Sequence, residues 1–189
     1  MAMIRKFKVP LLVTLLITTL ACSIFIGGPD FPEERIPVSS DATDGLKLQI
    51  EAAVTAGADS GLITLEVSEE QITSFVAQKL EAQADPIFLD PQIYLREGQM
   101  LVYGKVRQGN FYANILVILV ASVDDEGKPK FEISSVDFGP FPAPDGLKQT
   151  LTAIITEAYT GSLGPVASGF RLETISIADG FMTVTGRIK

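Results

Sequence analysis

The chain has 189 residues, 47% hydrophobic and 20% charged, which suits one packed domain with an appendage and excludes a disordered chain. Its 15 Lys and Arg against 23 Asp and Glu leave a net charge of −8, which argues against a nucleic-acid surface. It has no His and one Cys, Cys22, so the commonest general base, the usual triad base, an internal disulfide and a thiolate metal cluster are all excluded.

Residues 1–8 carry Arg5, Lys6 and Lys8 and no acid, and residues 9–28, "VPLLVTLLITTLACSIFIGG", carry no charge. Residues 11–28 reach the lower edge of what spans a bilayer as a helix. The positive flank places everything after residue 28 outside the cytoplasm. Residues 1–28 therefore read as a signal or membrane anchor, and the localisation expected is the cell membrane, with the domain on the extracytoplasmic side. Two forms of anchor stay open. "TLAC" resembles a bacterial lipobox that would be cleaved and lipidated at Cys22, although Thr19 and Leu20 depart from the usual residues. "SIFIGG" prolongs the apolar run, as an uncleaved signal anchor would. Residues 29–43, punctuated by Pro29, Pro32 and Pro37, read as a linker.

Residues 44–189 read as a single α+β domain. Leu46, Ile50, Ala53, Val54 and Gly57 predict a helix over residues 44–58, and "LITLEV" predicts a strand. Ser68 with Gln71 makes a capping box for a helix whose apolar stripe is Ile72, Phe75, Val76 and Leu80, ending near Asp85-Pro86. Glu97-Gly98 predicts a hairpin turn between two alternating runs. Residues 111–123, "FYANILVILVASV", read as a central strand buried on both faces. Residues 130–139 read as another strand, whose apolar phase shifts between Ile133 and Val136 as at a bulge. Leu147, Leu151, Ile154, Ile155, Ala158 and Tyr159 predict a further helix capped by Asp145.

The terminal hairpin, "ISIADGFMTVTGRI", repeats "IYLREGQMLVYGKV" in pattern, so the chain writes a helix–loop–hairpin unit twice. After each turn Met100, Val102, Gly104 and Val106, or Met182, Val184, Gly186 and Ile188, share one apolar face. A Gly in mid-strand leaves room for something to approach closely: a crossing helix, or an acyl chain.

The segments "LEVSEEQITSFVAQKL", "DPQIYLREGQMLVYGKV", "VDFGPFPAPDGLKQTL" and "TISIADGFMTVTGRIK" resemble, in order, the LmeA-like and YpmS-like families of membrane-tethered bacterial proteins, which look related to tubular lipid-binding domains. The resemblance implies amphipathic helices packed on a strongly curved antiparallel sheet with an apolar groove between, and it supplies no catalytic residue. Phe75, Leu80, Met100, Val102, Gly104, Ile115, Val117, Ile154 and Gly186 are the candidate lining residues, chosen by face.

No enzyme is expected, because no G-x-S-x-G, Walker or G-x-G-x-x-G pattern occurs. Asp124-Asp125-Glu126 reads as a solvated turn rather than a calcium loop, and no metal or cofactor is expected. Phe138, with Phe141 and the three Pro of "GPFPAP" that follow it, forms either an exposed apolar lip or a rigid crossover packed on the sheet. The function expected is a non-catalytic, membrane-tethered domain that takes a phospholipid or fatty acid. The alternative is an envelope interaction module with a filled core, whose protein partner the residues do not name.

Overall fold

The computed structural model describes residues 24–139, 149, 153 and 170–188. The expectations at Cys22, Phe141 and Ile154 lie outside these. Gln149 and Ala153, in the helix predicted after Asp145, are helical and exposed.

Among the described residues, β1 (Ile24–Phe25) leads to α1 (Ser40–Ser60), β2 (Leu62–Ser68), α2 (Glu69–Glu81), β3 (Phe88–Arg96), β4 (Gln99–Gln108), β5 (Phe111–Val123), β6 (Pro129–Asp137), β7 (Phe170–Ala178) and β8 (Phe181–Ile188). The class is α+β, with two helices on a mixed, strongly curved half-barrel that is mostly strand. One continuous antiparallel sheet was expected, but the strands form two. β3, β4 and β5 lie in order, and both β1 and β6 pair with β5; β2, β8 and β7 form a second sheet. The two repeated hairpins therefore sit in different sheets. Their turns differ too. Glu97 (φ 49°) and Gly98 (φ 78°) are both left-handed, as a tight two-residue hairpin requires, whereas only Gly180 (φ 89°) is so in the second. The second turn docks on the end of the first hairpin, with the Gly180 N–H donating to the Leu95 carbonyl (3.0 Å).

Strand β5 organises the first sheet. Ala113, Ile115, Val117 and Leu119 alternate inward and are buried, while Tyr112, Asn114, Leu116 and Ile118 are half-buried on the other face. One edge pairs with β4 along its length. The other is divided: β1 runs parallel to its first residues, Ile24 beside Phe111, and β6 pairs antiparallel from Leu116 onward. The bulge expected in β6 is present. Ser135 pairs with Ile118 but Ile133 with Leu119, so Ser134 is the extra residue.

Residues 29–43 are not a free linker. Residues 29–39 are strapped across the outer face of the first sheet, and α1 starts four residues earlier than predicted, at Ser40, because Ser39 caps it. The side-chain amide of Asn114 donates to the Pro29 carbonyl (3.0 Å), and Phe31 packs on the Tyr103 ring. The Tyr94 hydroxyl donates to the Glu34 carbonyl (2.6 Å). Gln92, buried, exchanges two hydrogen bonds with the backbone of Ile36 (2.7 and 3.1 Å). Prolines restrict this strap before it docks, which lowers the entropy lost on ordering it.

The free edge of β3 is closed by α2. Thr73 accepts from the Ile93 N–H (3.1 Å), and Glu69 accepts from the Leu95 N–H (2.6 Å) while pairing with Arg96. The Ser68–Gln71 capping box is fully formed. Leu80, Ile72 and Val76 of α2 then pack on the inner face of the first sheet. Leu46 and Ile50 of α1 meet Val67 and Phe75 in a second cluster over the second sheet.

Candidate functional site

The expected groove is filled where the sequence placed it. Leu80, Met100, Val102, Ile115 and Val117 pack together in the main cluster with Phe88, Ile93 and Leu95, and Phe75 belongs to the second cluster. All are buried, so they are core rather than lining. The two mid-strand glycines answer to neither a helix nor a lipid. The space above Gly104 holds the ring of Phe88 from the adjacent strand, and a Cβ there would fall inside that ring. At Gly186 a Cβ would lie 2.7 Å from the Arg171 carbonyl oxygen, because β7 is bulged towards β8 between Leu172 and Thr174. Phe138 is buried in the main cluster, so it forms no exposed lip.

An apolar surface remains open elsewhere. Cross-strand partners share a face, so the buried side of β5 extends onto β6: Ala121 faces Phe131, Leu119 faces Ile133 and Val117 faces Val136. Phe131 and Ile133 are half-buried, and Val136 is 42% exposed. Lys130, Glu132 and Ser134 alternate to the opposite face or fall in the bulge.

The second sheet offers a matching wall. Val67 with Met182, Leu65 with Val184 and Ile63 with Gly186 pair across β2 and β8, and Met182 with Ile177, Val184 with Ile175 and Gly186 with Leu172 pair across β8 and β7. These make one apolar face. The opposite face carries Thr64, Glu66, Thr183 and Thr185. Helices α1 and α2 cover its β2 side, and Ile177 and Met182 pack on the main cluster, so this face turns towards the inner side of the first sheet. Leu172 and Ile175 continue beyond both clusters and are half-buried.

Strands β6 and β7 thus each carry half-buried apolar residues at the margin of the main cluster. The start of β7 is held at the β5–β6 turn, where the Leu172 N–H donates to the Gly127 carbonyl (2.9 Å) and the Arg171 guanidinium to the Asp125 carbonyl (3.1 Å). From Phe131 to Val136 the β6 wall runs for about 16 Å. The signal in the sequence for these residues is the alternation in "KFEISSV" and "FRLETISI".

The turn at the join is built by Asp124. Its carboxylate accepts from the backbone N–H groups of Lys128 (2.8 Å) and Glu126 (3.0 Å), and Gly127 takes the left-handed conformation (φ 77°). The acid is therefore occupied by its own backbone. Among the described residues no three His, Cys, Asp or Glu are grouped to hold a metal. The Lys128 amide bond, then that from Glu126, holds the Asp124 carboxyl below its ordinary value of 3.8. A lowered pKa contributes stability that is complete above the unfolded value and is lost as pH falls through the folded one. Amide exchange at Glu126 and Lys128, corrected for intrinsic rates, is expected to be protected at neutral pH and to lose protection as the pH falls through the lowered value of the Asp124 carboxyl. In Asp124→Asn that acid step is absent.

Comparison with protein-family models finds no match, and neither does comparison with curated proteins. A crystal structure of a lipopolysaccharide-binding protein matches with a TM-score of 0.31 and 12% identity, over 68% of this chain and 50% of that one. The chain thus spans half the length of that protein, and so slight a likeness carries no argument about this one.

Proposed function

We propose that this chain is a membrane-tethered, extracytoplasmic, non-catalytic domain that lays an acyl chain of a phospholipid or fatty acid in the trough between β6 and β7. The observation that carries this reading is the pair of half-open apolar walls, Phe131, Ile133 and Val136 against Leu172 and Ile175, beside a closed core. Such walls favour a ligand through area removed from water, about 0.8 kcal/mol for each buried methylene.

Tethering is supported by sequence and fold together. Among the described residues no helix is long and apolar enough to cross a membrane. Residues 24–27 belong to the first sheet, with Ile26 and Gly27 hydrogen-bonded to β5, so the uncharged run that precedes the sheet in sequence is residues 9–23. That is about three-quarters of the roughly 20 residues a spanning helix needs, and closer to a signal-peptide core. This favours cleavage and lipidation at Cys22 over a retained helix.

The experiment is saturable uptake of a fluorescent fatty acid by the purified full chain, which the proposal requires and whose absence overturns it. The apolar stripe predicted over Leu147, Leu151 and Ile154, between β6 and β7, favours a second reading. There the chain's own helix occupies the trough and the domain is an envelope interaction module, and uptake fails.

A further inference from the structure

The end of the first sheet that carries the β4–β5 turn gathers exposed apolar side chains. Ile24 is 51% exposed, Phe25 61% and Phe111 48%, and Ile87 is also exposed. Other exposed apolar residues, such as Leu48, Val120 and Phe181, lie elsewhere in the fold, as is ordinary for a soluble surface. These four are brought together by pairing. Ile24 and Phe25 lie beside Phe111 and Tyr112, and the Ile87 carbonyl accepts from the Arg107 N–H (2.9 Å) across β4. Phe111 keeps the inward phase of β5 but lies beyond the end of the core, while Phe25 pairs with the outward Tyr112. The apolar side chains thus rim the end of the sheet from both faces.

Two further facts say what covers this rim. First, β1 runs parallel to β5, and the Ile24 N–H donates to the Asn110 carbonyl (2.8 Å), so the chain enters the domain from the β4–β5 turn. The apolar sequence of residues 9–23 ends there. At no more than about 3.6 Å per residue, Ile24 lies within roughly 7 Å of Cys22. Second, the rim is electrically neutral in a chain of net charge −8. Residues 23–28 and 108–114 contain no charged side chain, and Arg107 pairs with Asp85 beside them. An acidic domain held against an anionic bilayer presents its uncharged end to it most favourably.

We propose that this end of the sheet is a membrane-docking surface. Ile24, Phe25, Ile87 and Phe111 enter the interface of the bilayer that holds the N-terminus, and the strands of the first sheet stand up from it. The inference rests on the tethering part of the proposed function and is independent of what fills the trough. It gives the anchor a fixed geometry, since the lipid surface meets the domain at β1 rather than at the end of a loose linker.

The chain has no Trp, so single-Trp variants report position without background. Full-length Phe25→Trp, Phe111→Trp and Leu48→Trp are reconstituted into phosphatidylethanolamine–phosphatidylglycerol vesicles with brominated or ordinary acyl chains. Leu48 lies on α1, over the second sheet. The expected result is that all three float with the vesicles, that Phe25→Trp and Phe111→Trp lose most of their emission to brominated lipid, and that Leu48→Trp keeps it. Flotation with Phe111→Trp unquenched, or with Leu48→Trp quenched equally, overturns the docking surface and leaves tethering standing. Failure to float overturns both.

Discussion

Gly104→Ala is expected to destabilise the fold by about 3 kcal/mol, the upper part of the range for forcing extra carbon into a packed core. The added methyl occupies the position of the Phe88 ring, which is 0% exposed and enclosed by the main cluster. Phe88 has nowhere to turn, because β3 is fixed by β4 on one edge and by Thr73 and Glu69 on the other. The companion variant decides the mechanism. Phe88→Leu alone costs stability by leaving a void, but combined with Gly104→Ala it restores part of the loss, with a coupling of roughly 1–2 kcal/mol between the sites. Gly186→Ala behaves differently. Its obstruction is the backbone of β7, so no side-chain replacement relieves it. Denaturant unfolding of the wild type and these four variants measures both, and strictly additive losses at Gly104 and Phe88 would contradict the packing account.

Ile133→Asp combined with Ile175→Asp is expected to weaken uptake of a fluorescent fatty acid by at least about tenfold, through lost apolar contact and a carboxylate on each wall. Both residues are half-open, so the folded state tolerates the change better than it would an acid in the main cluster. Met100→Asp is the contrasting case: it strikes the floor and unfolds the domain. Unchanged uptake by the trough variant, with its unfolding midpoint near that of the wild type, would move the ligand site elsewhere.

Local chemistry was the legible part of the sequence. The capping box at Ser68 and Gln71, the Glu97-Gly98 hairpin and the phase shift at Ser134 each follow from rules acting over a few residues, and each is present. What the sequence hid is decided by contacts between distant residues. Phe88 and Gly104 meet only because their strands pair, so the glycine's purpose could not be read from its own strand. The strap looked like a linker because proline-rich segments do, while the groups that hold it, Gln92, Tyr94 and Asn114, lie far along the chain. The split into two sheets arises in the same way, since similar hairpin patterns carry no statement of which edge they will join. The candidate lining residues share the inward apolar faces of their elements, and those faces are the ones a core uses first. The half-buried apolar residues on β6 and β7 continue the alternation beyond those positions.

The central claim is that the trough holds a lipid, and native mass spectrometry of the full chain, purified in mild detergent and released from it in the instrument, tests it most directly. The account predicts a bound mass of one phospholipid or fatty acid per chain, retained after detergent is stripped and absent from the Ile133→Asp, Ile175→Asp double variant. A wild-type chain that appears only at its own mass, or a bound lipid that the double variant keeps, would contradict it.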